Sequence, residues 1–215
     1  MKKLLLLLLL SLFSTNSFAF QVINGGSPSA FIKCQKTTPY HFDLVKNDIQ
    51  KFINSYKKST IENFLKQIRV CHVINLDGMT WVGGTYDIKK QIIYLRAPKH
   101  RKHEYLLHHE FSSIILKSSK NRSKRLKILK KFWNINDGPY TGVGRVNKTN
   151  WLDEIISYQR RGFIVPYAQT NFENDFNMTA AYLKTSSLQN NTKKAMRFNR
   201  LNKKFKLVKQ FYKNL

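Results

Sequence analysis

Apolar positions along this chain change period several times, and each change predicts an element. Phe42, Val45, Ile49, Phe52, Ile53 and Tyr56 recur at helical spacing, so 42–56 reads as a helix with one buried face. Ser59 and Glu62 in "STIEN" have the spacing of a capping box, which opens a second packing helix to about Ile68. "RVCHVI" follows as a short buried strand. In "TWVGGTYDIKKQIIYLRA" two apolar runs, 80–86 and 91–95, flank a polar turn at 87–90, the pattern of a hairpin. Gly83 and Gly84 inside its first strand predict a bulge or a place where another backbone comes close. Pro98 breaks the chain before a helix over 102–116, and a basic helix follows over 123–133. The Gly- and Asn-rich segment 134–150 has no period and reads as a long loop, a kind of segment that often carries function. A short helix near 151–158 and the turn "RRGFIVPYAQTN" come next, then a helix over 172–183 that Asn171 can cap. The last helix starts near Thr192, and its stripe is Phe198, Leu201, Phe205, Val208 and Tyr212.

Residues 1–19 stand apart from this pattern. "MKKLLLLLLLSLFSTNSFA" joins a basic start, a leucine run short for a bilayer, and small residues at Ser17 and Ala19. Those are the parts of a signal peptide cleaved after Ala19, with an uncleaved anchor as the alternative. The expected product is a periplasmic or secreted monomer without an integral membrane segment. Residues 20–215 suffice for a single domain with one core, and no internal repeat is visible. Cys34 and Cys71 are the two cysteines, and in an oxidising compartment an even pair is most simply one disulfide. Two buried thiols are the other option.

Charge changes the picture further. The chain has 38 Lys and Arg against 12 Asp and Glu, a formal net charge of +26, and 117–131 and 193–213 contain no acid. Such runs suggest nucleic acid first, but export argues against that partner. Two readings remain: lysines on solvated helix faces, or attraction to an anionic cell-envelope polymer or phosphorylated glycolipid.

Candidate chemistry lies in "YLLHHEFSSIIL", 105–116. A zinc peptidase helix presents two imidazoles at i and i+4, with a glutamate beside the first to activate metal-bound water. His109 and Glu110 occupy the first two roles by position, while Ser113 stands where the second imidazole belongs. His108 is adjacent to His109 and points about 100° away around the helix, so it does not converge easily on the same ion. Glu104 and His108, four apart, share a face of their own. A Gly-containing hairpin just before an HE helix suits a peptidase cleft, in which a strand edge at Gly83, Gly84 and Thr85 pairs with extended peptide. Downstream, Glu173 and Asp175 lie at a helix start, from which a carboxylate can project toward His109.

In their order and spacing, "GGTYD...IIYL", "LLHHEFSSIIL", "GFIVPYA" and "ENDF" resemble the bacterial putative zinc-binding metallopeptidases of zincin-like fold, which are exported envelope proteins. The resemblance runs from about Val70 to Leu183. It implies an α+β fold, mostly helical, with a small antiparallel sheet or hairpin beside the HE helix. It also implies zinc, with His109 as a ligand, Glu110 as general base, and an acid of the 173–175 segment as third ligand. Asp175 and Glu173 are the candidates, with His108 as a possible substitute donor. The chain departs from the family at Ser113, in place of histidine, and at Asn174, in place of an acid. Three functions follow: a zinc-dependent peptidase acting on peptides or proteins with an incomplete ligand set, an inactive zincin-derived binding module of the envelope, or an unrelated basic envelope protein.

Overall fold

A computed structural model describes residues 20–80, 82–98, 103–142 and 153–215. Residues 1–19, Trp81, Lys102, Trp151 and much of the 134–150 segment lie outside the described residues, and with them the expected leader. The strands are β1 (Gln21–Asn24), β2 (Ile32–Lys36), β3 (Gln67–Leu76), β4 (Gly84–Asp87) and β5 (Ile92–Arg96). The helices are α1 (Pro39–Asn54), α2 (Lys58–Phe64), α3 (His103–Lys117), α4 (Arg122–Ile135), α5 (Ile156–Arg160), α6 (Phe172–Lys184), α7 (Gln189–Ala195) and α8 (Asn199–Lys213).

The sheet is larger than the hairpin predicts, and it is mixed. β3 pairs in parallel with β1 and β5, and antiparallel with β2, while β4 pairs antiparallel with β5 at one edge. β1 and β2 escape the sequence reading because each is short: β1 has no fully buried residue, and the alternation of β2 buries only Ile32 and Cys34. Their pairing is long-range, to opposite ends of β3. β5 is covered on both faces and therefore reads as an apolar run: Ile93 and Leu95 face the helices, while Ile92 and Tyr94 join Cys34 and Cys71 on the far side. Cys34 and Cys71 are bonded to each other, tying β2 to β3. The hairpin turn forms where expected, closed by Lys90 N–H donating to Asp87 Oδ1 at 3.0 Å.

α3 is the central helix. Nearly every residue from His103 to Leu116 is buried, so it lacks the single apolar stripe of a surface helix. It packs on α1, where Phe111 meets the Phe52 ring edge-on at 5.4 Å, and against α6 and the β4–β5 edge. Two terminal signals differ from expectation. α2 starts one residue before Ser59 and has no side-chain cap, and Glu62 instead lies 3.7 Å from Lys58. The predicted last helix is broken: α7 ends at Ala195, and Phe198 is the extended residue from which α8 starts. The break lets Phe198 pack on one core cluster while Val208 and Phe211 of α8 reach the other.

Candidate functional site

The site is built where α6 crosses α3 beneath β4. α6 starts at Asn171, whose side chain accepts from Asn174 N–H at 2.8 Å, as the sequence predicts. That start sets the phase of the helix. Glu173 and Asn177, four apart, face α3, and Asp175, about 200° round from Glu173, faces away.

Glu173 is the hub. Its Oε1 accepts from Ser113 Oγ at 2.8 Å and from the Tyr86 hydroxyl at 2.7 Å, and its Oε2 lies 2.7 Å from Lys117 Nζ. Lys117 Nζ also donates to the Tyr86 hydroxyl at 2.5 Å, and Asn177 Nδ2 donates to Ser113 Oγ at 2.6 Å. Burial pushes the Glu173 carboxyl up, but the hydrogen bonds and charge of Lys117, with Tyr86 and Ser113, outweigh it and hold the group below its ordinary range. Ser113 and Tyr86 therefore complete the coordination of an ionised carboxylate whose counter-charge is an ammonium, and Asn177 holds Ser113 in place.

His109 and Glu110 border this network. The His109 ring lies between Tyr105 and Tyr167, with centroids 6.5 and 6.1 Å away, and its Nδ1 is buried without a hydrogen-bond partner. Burial pushes its pKa down to about 4 against an upward pull from Glu173, so the imidazole is neutral at pH 7. Glu110 is pushed up to about 8 by burial and by the charge of Glu173, with Lys117 pulling the other way. It lies against β4, where a Cβ on Gly84 would come within 3.2 Å of Glu110 Oε1. Gly84 thus marks the close approach of a side chain, not of the second backbone that the paired glycines predict. Thr85 pairs with Tyr94, and Gly83 accepts from Arg96 N–H at 2.9 Å, so the 83–85 segment is the outer strand over Glu110.

Two expected donors lie elsewhere. Asp175 is wholly buried on the opposite side of α6 and pairs with Lys204, while Tyr140 donates to its Oδ2 at 2.9 Å. Burial raises Asp175 and lowers Lys204, and their mutual contact opposes both shifts. Asp175 is thus corrected from ligand to half of a buried ion pair, because the α6 cap fixes its direction. His108 is likewise corrected: its Nδ1 lies 3.1 Å from the Tyr56 hydroxyl and its ring packs on Phe52, on the α1 side of α3. The Glu104–His108 face exists, with Nε2 3.9 Å from Oε1, but Glu104 is occupied by Ser186 N–H and Oγ at 2.8 and 2.7 Å.

Lys117, Tyr86, Asn177 and Tyr167 belong to no site motif in the sequence. Lys117 repeats the phase of His109 and Ser113 at i+8, and Asn177 repeats that of Glu173 at i+4, which is the signal that was available.

Residues 86–215, more than half of the chain, match the family described as putative zinc-binding metallo-peptidase. The chain belongs to that family. A crystal structure of a putative zinc-binding metallo-peptidase from Bacteroides caccae is similar over 96% of this chain and 83% of that one. The TM-score is 0.52 at 16% identity, a likeness of fold. No curated protein matches the sequence.

Against the zinc-binding metallo-peptidase family, the donor set is the point of departure. A catalytic zinc takes three protein ligands and a water. Here His109 is a neutral imidazole free at Nδ1, Glu173 is already bound by an ammonium and two hydroxyls, and the third place holds Ser113, a neutral hydroxyl in use as a donor. Among the described residues no three His, Cys, Asp or Glu side chains cluster to hold a metal. These residues do not fit a three-ligand zinc site.

Proposed function

We propose that this chain is an exported, peptide-binding member of the metallo-peptidase family in which the zinc position has been converted to an ion-pair network. The observation that carries the reading is Lys117 Nζ on Glu173 Oε2 at 2.7 Å with Ser113 Oγ on Oε1 at 2.8 Å. A metal at Glu173 would have to displace an ammonium whose charge already satisfies that carboxylate. In this reading the peptide-binding edge is retained. β4 is an edge strand paired with β5, and an extended peptide can add to its outer side along Gly83, Gly84 and Thr85. The neutral His109 and the protonated Glu110 then serve as polar contacts beneath that peptide. The leader-like 1–19 and the Cys34–Cys71 bond support an oxidising periplasmic or secreted location.

Zinc titration tests the reading. The wild type is expected to bind zinc weakly and to cleave no peptide. Ser113→His alone restores an imidazole at i+4 but leaves Lys117 in competition for Glu173. The double variant Ser113→His/Lys117→Met is expected to bind zinc about 100-fold more tightly than the wild type, the scale on which groups around a metal set its affinity. One tightly held zinc in the wild type, with peptide hydrolysis lost on chelation, would sink the proposal.

A second reading, a working peptidase, draws on the unpartnered Nδ1 of His109 and the raised pKa of Glu110, which suits a general base. It needs a third ligand that the described residues do not supply, and it expects zinc in the wild type and loss of both zinc and activity in His109→Ala.

A further inference from the structure

α4 carries an acid-free surface that the cleft does not use. Its buried side is narrow, consisting of Ile128 and Phe132. Leu126 and Trp133 are 53% and 57% exposed. They are seven residues apart and lie about 20° apart around the helix axis, forming one apolar strip. Trp133 is held outward by an edge contact with Tyr140 at 5.7 Å. Exposed cations border the strip: Arg122 and Lys130 on the same arc, then Lys127 and Lys131 toward α8. Lys127 and Lys131 continue into a groove of about 190 Å³ between α4 and α8, whose other walls include Lys124 and Gln210. Neither α4 nor α8 contains an acid, and Asp137 just beyond α4 is paired with Arg200 at 3.4 Å.

We propose that this face of α4, with the lysine-rimmed α4–α8 groove, docks on an anionic lipid leaflet. Charge complementarity alone would accept any polyanion. The exposed leucine and tryptophan decide between them, since a soluble polyanion gives them nothing to enter. A membrane interface does, taking a tryptophan ring and an aliphatic side chain at headgroup depth while lysines stay among the phosphates. Each cation near an anionic surface adds an attraction that salt screens, so four or five make a salt-sensitive association that the apolar pair renders specific for lipid. No residue of the cleft takes part, so the inference stands whether or not the cleft binds zinc.

The test is binding of the mature chain to vesicles of phosphatidylglycerol and phosphatidylethanolamine, compared with phosphatidylcholine alone, at low and physiological salt. Binding is expected on the anionic vesicles only, weakening with salt, with Trp133 emission shifted to the blue and that shift lost in Trp133→Phe. Leu126→Ser/Trp133→Ser keeps the charge and is expected to lower partitioning about tenfold. Lys127→Gln/Lys130→Gln/Lys131→Gln is expected to lower it comparably and to flatten the salt dependence. All these positions are exposed, so unchanged thermal melts confirm folding. Undiminished vesicle binding by the Ser double variant would overturn the proposal, leaving only diffuse attraction. Failure to bind anionic vesicles at low salt, or stronger binding to soluble polyphosphate without a Trp133 shift, would do the same.

Discussion

Glu110 shows how far one residue is set by its surroundings. Burial and the charge of Glu173 push it from 4.5 to about 8, so the folded protein holds a proton that the unfolded chain releases near pH 4.5. Stability from this group is present below about pH 4.5 and declines as pH rises through 8. His109 works in the opposite sense: its pKa falls from 6.5 to about 4, so its contribution is present above 6.5 and fades as pH falls through 4. From 4.5 to 6.5 the two slopes oppose each other, and from 6.5 to 8 Glu110 acts alone. Glu110→Gln, which removes one slope, should gain on the wild type by up to about 5 kcal/mol between pH 4.5 and 9. Urea unfolding at several pH values measures that difference, and a constant gap would refute it. At Asp175 the prediction concerns a partner. Lys204→Met should destabilise by about 3 to 5 kcal/mol because it leaves a buried carboxylate without its cation, and Asp175→Asn/Lys204→Met should recover part of that in the same assay. The HE pair and Ser113 were legible at this scale, because i, i+4 spacing is a property of the chain. The direction of Asp175 was not, because it depends on where α6 begins.

Among elements, long amphipathic helices and the β4–β5 hairpin were readable because their patterns are local. β1 and β2 were not, since four or five residues have meaning only beside β3. The disulfide holds this long-range edge. Cys34→Ser/Cys71→Ser should lower stability by about 2 to 4 kcal/mol through the larger entropy of the unfolded chain. Hydrogen exchange should also rise in β2 before β5, because β5 is buried on both faces. A variant with unchanged melting and unchanged β2 exchange would show that the bond holds nothing. α3 illustrates the converse failure of pattern: a helix surrounded on all sides has no stripe, so its sequence announced chemistry more clearly than packing.

For the molecule as a whole, the two main apolar clusters are coupled. Leu106 and Leu183 pack against both, one from α3 and one from α6. One cooperative unfolding transition is therefore expected, with far-UV and near-UV circular dichroism changing together. Two separated transitions would mean that the α5–α8 half folds on its own. By itself the sequence determined the leader-like segment, the excess of cations, the order of hairpin and HE helix, and the loss of the second imidazole at Ser113, because composition and local spacing need no partner. Only the tertiary structure decided that Glu173 rather than Asp175 meets that helix, that His108 turns into the core, and that Lys117 supplies the counter-charge. Each depends on the relative phase of segments 52 or more residues apart, which is fixed by caps, crossing and burial that no single stretch of the chain contains.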